Sequence, residues 1–158
     1  MYRYIVQLYF KNSQNINTEC LYCFQEVIHC LKEIPTAYHA RTIELFASKV
    51  IEQKQKDVDN VKKLFKEIVF SGTCDVDTFK NGFSSTLEFL MDIGADAPMS
   101  YSFTGQLLFS AGLDFRDISK LLVPLDDDKS VEKIVNGYAS ALKNDVVGLK
   151  IDIKFFLF

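Results

Sequence analysis

FKNGFSSTLEFLMDIGADAP, running from Phe79 to Pro98, carries one strongly apolar stripe on a helical period. Phe79, Phe83, Leu87 and Leu90 fall within about 80° of one another on a helical wheel, and Val76 joins them one turn earlier. Such a stripe must face a core. Asp92 falls on the opposite side, with Asn81, Ser85 and Glu88. Val76 to Ile93 is expected to be one helix with Asp92 in its last turn, where the negative end of the helix dipole disfavours a carboxylate by about 0.3 to 1 kcal/mol. Gly94 suits the left-handed residue that ends a helix, and Pro98 suits the first turn of the next. Asp92 and Asp96 are therefore expected to flank a tight inter-helix corner, and helix stability does not account for the first of them.

Helical periodicity extends outward on both sides. Residues 2 to 11 predict a short helix burying Ile5, Leu8 and Tyr9. Thr18 is the expected N-cap of a helix through Ile34 that buries Phe24, Val27, Ile28 and Leu31 and is ended by Pro35. A partner from about Ala37 to Gln53 buries Ile43, Phe46, Ala47 and Val50. Asp57 is read as the cap of a helix through Ser71, with Gly72 at its end, and Asp75 as the cap of the central helix. Beyond Pro98, a helix with Phe103, Leu107 and Leu108 stops at Gly112. Asp114 caps a brief one ended by Pro124, and Ser130 caps a last one from Val131 to about Lys143. Short connections between helices of this kind predict antiparallel hairpins stacked one on the next.

Composition agrees with an all-α chain. The 158 residues fit one domain, able to bury about 68 to 70% of its unfolded surface. Seven Gly and three Pro leave little room for linkers or many β-turns. A net charge of −3 offers no long-range attraction to nucleic acid or to an anionic membrane and favours a basic partner. No continuous apolar run of signal-peptide or membrane-spanning type is present, so the expectation is a cytoplasmic protein with its four cysteines reduced. Residues 1–146 form the expected helical domain. Residues 147–158 form an atypical apolar tail: Leu149, Ile151, Ile153 and Phe155 alternate with Lys150, Asp152 and Lys154, which predicts an extended strand.

Phe79, Gly82, Phe83, Leu87, Leu90, Asp92, Ile93, Asp96 and Pro98 together resemble the signature of the MA3 domain, found in the translation-initiation scaffold initiation factor 4G. Pro35-Thr-Ala-Tyr38-His39, the helix after Lys54-Gln-Lys-Asp57, and Leu121-Leu-Val-Pro-Leu125 resemble further family segments, so the likeness covers roughly Leu8 to Leu142. The resemblance implies a HEAT-like helical stack without cofactor or enzymatic activity. It also implies a partner, a DEAD-box RNA helicase of the initiation factor 4A type, contacted through Asp92 and Asp96 with Pro98 fixing the loop. RNA is then met only indirectly. A translational suppressor or a nucleolar relative with a related helicase partner is the alternative within the family.

Other chemistries are weaker in the residues themselves. Cys20, Cys23, His29 and Cys30 have zinc-type ligands, but all four fall on one expected helix, leaving only His39 and Cys74 to complete a site; core cysteines are the simpler reading. Asp126, Asp127, Asp128 and Glu132 lack the spacing and glycine of a calcium loop. Nucleophile-elbow and phosphate-binding glycine motifs are absent, and the two histidines offer no evident base for a cysteine. The lysines from Lys49 to Lys66 invite an RNA-binding module, yet Glu52, Asp57, Asp59 and Glu67 interrupt them, which favours a solvated helix face.

Overall fold

Among the described residues the chain forms α-helices and one 3-10 turn, with no strand. A computed structural model describes residues 1–13 and 21–156, with side chains at 1–11 and 24–146. The helices are α1 (Tyr2–Ser13), α2 (Leu21–Glu33), α3 (His39–Val50), α4 (Gln55–Phe70), α5 (Val76–Glu88), α6 (Leu90–Asp96), α7 (Ser100–Ser110), α8 (Phe115–Leu122) and α9 (Asp128–Phe156), with the 3-10 turn at Thr36–Tyr38 before α3. No described helix is long and apolar enough to cross a membrane.

Several boundaries follow directly from local chemistry. The Asp75 carboxylate accepts the Thr78 N–H at 2.8 Å and opens α5, and Asp114 does the same for Asp117 at 2.8 Å to open α8. Gly72 and Gly112 leave α4 and α7 with φ of 69° and 77°, a region other residues enter at a cost. Two expected caps shift. Asp57 lies in the first turn of α4, which begins at Gln55. Ser130 is not the cap of α9: its N–H donates to Asp127 at 3.1 Å, so Asp127 fills that role. Thr18 lies outside the described residues.

The core runs through the aromatic rings. Tyr9 packs edge-on against Phe46, Phe46 against Phe65, and Phe65 against both Phe79 and Phe83, at centroid distances of 5.3, 6.5, 5.2 and 6.1 Å. This line ties α1, α3, α4 and α5 together. Phe79, Phe83 and Leu90 are fully enclosed and Leu87 is buried, as the apolar stripe predicts. The closest helix approaches skip one element, α3 with α5 and α7 with α9, as in a helical-repeat stack. Glycine permits both. A Cβ on Gly82 would lie 2.8 Å from the Ala40 carbonyl oxygen, and one on Gly105 or Gly137 would overlap the backbone of the opposite helix, at Ile134 and Ser102 respectively.

Helix α7 is buried on nearly every side, and SYSFTGQLLFS holds no charged residue. Thr104 donates to the Ser100 carbonyl at 2.8 Å and Ser110 to that of Gln106 at 3.1 Å, both within the helix, while the buried Ser100 hydroxyl has no partner among the described residues.

Beyond the shifted caps, the structure departs from the sequence reading at Phe89, at Gly94 and in residues 148–156. The central helix does not run unbroken to Ile93. At Phe89, with φ −102° and ψ −1°, it tightens, the Phe89 N–H bonding to the Thr86 carbonyl at 3.3 Å, and α6 restarts at Leu90. Gly94 is not a left-handed terminator but an interior residue of α6, needed because any Cβ there would enter the Tyr101 ring. Finally, residues 148–156 are not a strand; they continue α9. A lone strand in an all-helical chain finds no ladder, whereas a helix pairs its backbone groups within the segment.

Candidate functional site

The expected acidic corner is built by α6 and the turn after it. Asp92 and Asp96 are four residues apart on this helix and so share one face, and both are exposed. Neither forms an ion pair among the described residues. Pro98 is exposed and occupies the second position of a four-residue turn closed by the Ser100 N–H on the Ala97 carbonyl at 2.9 Å, where its fixed φ is suited. It therefore precedes α7 rather than lying in its first turn.

The break at Phe89 exchanges the roles of the two acids. Asp92 sits in the first turn of α6, at the positive end of the dipole, where a carboxylate is favourable. Asp96 closes the helix at the negative end. The residue that helix stability does not explain is Asp96, together with the repulsion of two like charges at this spacing, about 0.2 to 0.5 kcal/mol. The platform beneath them is firm. Leu90 is fully buried, Gly94 lies under the Tyr101 ring, the Tyr101 hydroxyl donates to Met91 Sδ at 3.9 Å, and Lys133 Nζ stands 5.1 Å from the ring centroid on its other partner, α9.

Beside this corner runs a groove of about 570 Å³. One wall is the ridge Ser84, Leu87, Glu88 and Met91; the other is Leu121 and the segment Pro124 to Asp127. Lys80 fixes the walls relative to each other, since its Nζ donates to Asp117 of α8 at 2.7 Å and to Asp77 of α5 at 3.2 Å. The loop wall is set by Asp127, which caps α9 and whose carboxyl is held below the ordinary range chiefly by the Ser130 hydroxyl. Ser130 also reaches Met91 Sδ at 3.5 Å. The sequence assigns Asp126 to Asp128 to a capping loop; the place of Asp126 and Asp127 on a groove rim depends on the α5–α8 contact and has no local signal.

The remaining candidates are dispersed or structural. His29 is exposed and pairs with Glu33 at 3.3 Å, and Cys30 is half-buried. Cys20 lies outside the described residues, as does the side chain of Cys23. Among the described residues no three His, Cys, Asp or Glu side chains gather to hold a metal. His39 and Cys74, however, meet in the interior at 3.7 Å, a cysteine–histidine pair from distant segments that the sequence reading did not anticipate. Burial pushes the Cys74 thiol up to about 12, with the Asp75 charge adding to the rise, the opposite of what a nucleophilic cysteine requires. Of the lysine run, Lys49 stands over the Phe10 ring at 4.8 Å, Lys62 binds Asp59 and Gln106 at 3.3 and 3.2 Å, and Lys66 binds Asp145 at 2.8 Å. These lysines tie helices together and do not form one basic stripe.

No protein-family model and no solved structure matches the chain. Among curated proteins it is similar to a von Willebrand factor A domain-containing protein of Dictyostelium discoideum, 29% identical over 125 residues. That match covers 75% of this chain and 6% of the relative, so the chain spans a small part of that much longer protein.

Proposed function

We propose that this chain is a non-enzymatic, MA3-like docking module of a cytoplasmic translation-initiation scaffold, and that its acidic corner holds a DEAD-box RNA helicase of the initiation factor 4A type. The observation that carries this reading is the pair Asp92 and Asp96: two exposed carboxylates on one face of a short helix clamped to the core, with no counter-ion among the described residues. Like charges held at that spacing cost the helix stability, and a basic partner surface offsets that cost. The all-helical stack and the exposed turn proline accord with the MA3 resemblance. Similarity to one short stretch of a much longer protein suits a module carried within a larger chain.

In this reading the stack acts as a rigid holder. Acids on a fixed helix steer a basic surface into register, and tethering raises the helicase concentration at the scaffold without any chemical step. Calorimetric titration of the chain with a purified helicase of this type tests it. The expected result is saturable binding that weakens with salt and disappears in Asp92→Lys/Asp96→Lys. A folded wild-type chain that gives no binding heat overturns the proposal.

A further inference from the structure

A groove lies between α5–α6 and the segment leading into α9. Its floor is apolar, formed by Leu87, Met91, Leu121, Pro124 and Leu125, and its rim is acidic, with Glu88, Asp126 and Asp127. No Lys or Arg lines it; Lys129 acts on Asp127 from outside the groove. Met91 leaves 46% of its surface exposed, so apolar surface remains uncovered in the groove.

Shape narrows the occupant. Ser84, Leu87 and Glu88 of α5 and Met91 of α6 keep the i, i+3, i+4, i+7 spacing across the break at Phe89 and make a ridge of roughly 10 Å, the length of about two helical turns. Charge narrows it further. One oxygen of Asp127, Oδ2, already accepts both the N–H and the hydroxyl of Ser130, whereas Glu88 and Asp126 are exposed and make no ion pair among the described residues. Their uncompensated charge repels nucleic acid and anionic lipid alike.

We infer that this groove receives a short amphipathic helix of a partner protein, placing one or two large apolar side chains on Leu87, Met91 and Leu125 and Lys or Arg residues against Glu88 and Asp126. The inference rests on the reading of the chain as a docking module but not on the helicase or on the α6 acids. It adds a helix-in-groove contact to a charge contact, on adjoining surfaces of one stack.

The test uses a labelled peptide of about three helical turns, built of Lys and Leu at helical spacing, and its Glu-for-Lys counterpart. The lysine peptide should bind the full chain saturably and shift amide resonances of Ser84 to Met91 and Leu121 to Asp127, while the glutamate peptide should not bind. Glu88→Lys/Asp126→Lys should weaken the lysine peptide about tenfold. Met91→Ser/Leu125→Ser should weaken it as well, in a chain that circular dichroism shows to be folded. Resonance shifts elsewhere on the wild-type chain overturn the groove whatever the variants do. Undiminished binding by the folded serine variant reduces it to diffuse attraction and likewise overturns it. Peptide binding without helicase binding leaves the groove standing and removes only the helicase.

Discussion

His39 Nδ1 lies 3.7 Å from Cys74 Sγ while Nε2 of the same ring stands 2.8 Å from the Leu31 carbonyl oxygen. A carbonyl only accepts, so Nε2 carries the proton, and the neutral thiol is left to donate to Nδ1. The pair joins the end of α2, the start of α3 and the residue before the α5 cap in one buried polar contact. Its consequence is a dependence of stability on alkaline pH. An unfolded cysteine loses its proton near 9.0, whereas this thiol keeps it up to about 12. Its contribution is therefore complete below pH 9 and is lost as pH rises from there through 12, at up to about 1.4 kcal/mol per pH unit. Urea denaturation of the wild type and Cys74→Ala from neutral to about pH 10.5 should show the difference between them shrinking above pH 9. A difference independent of pH rules out the protonated thiol as its source.

Phe83 is fully enclosed and meets Phe65 edge-on at 6.1 Å, at the α5 end of the aromatic line. Phe83→Ala should cost about 3 to 5 kcal/mol in chemical denaturation, combining lost transfer energy and a cavity the ring line cannot close. A loss under about 1 kcal/mol places Phe83 outside the cooperative core.

What the sequence discloses and what it conceals divide along physical lines. The stripe of Phe79, Phe83, Leu87 and Leu90, the caps Asp75 and Asp114, and the exits Gly72 and Gly112 depend on neighbours within a turn or two, and they are legible. The break at Phe89 is not, because the helical wheel stays in phase across it and Leu87 and Leu90 are buried on either side. Gly94, Gly105 and Gly137 look alike in the sequence as permissive residues. Only tertiary contact shows that each is small because another helix or ring occupies the space of its side chain. The alternation in 149–155 points to a strand because period-two reading takes no account of whether a partner edge exists. The charge-free SYSFTGQLLFS was the available signal for the most buried helix, α7.

The crossing of α7 and α9 gives a sharper test of glycine. In an ordinary helix interior Gly→Ala stabilises by roughly 0.5 to 1 kcal/mol. At Gly137 the new Cβ would overlap the Ser102 carbonyl, and at Gly105 that of Ile134, and backbone cannot move aside as a side-chain tip can. Both substitutions should destabilise, by about 1 to 3 kcal/mol. Gly94→Ala should cost less, since the Tyr101 ring can turn, but the turned ring displaces α6 and should weaken partner binding. Thermal melting of the three variants, read beside helicase titration for the third, checks both statements.

Asp92 and Asp96 separate stability from binding. Asp92 lies at the positive start of α6 and Asp96 at its negative end, so Asp92→Lys should lower stability by about 0.3 to 1 kcal/mol while Asp96→Lys is neutral or slightly favourable. Either change also replaces the i,i+4 repulsion with an attraction worth a few tenths of a kcal/mol, which offsets part of the loss at Asp92 and leaves the difference between the two variants in place. If both carboxylates meet a basic helicase surface, both reversals weaken binding despite their opposite effects on the helix. Buried contacts of this kind cost about 2 kcal/mol or more when removed, whereas rim charges change mainly association rate and salt dependence. Affinity and circular-dichroism melting measured on each single variant and on the double variant should therefore diverge. Melting should follow the helix dipole and affinity should follow charge count. Unchanged affinity in the folded double variant removes the corner as a binding site, and affinity that tracks melting instead assigns these carboxylates to the stability of α6 alone.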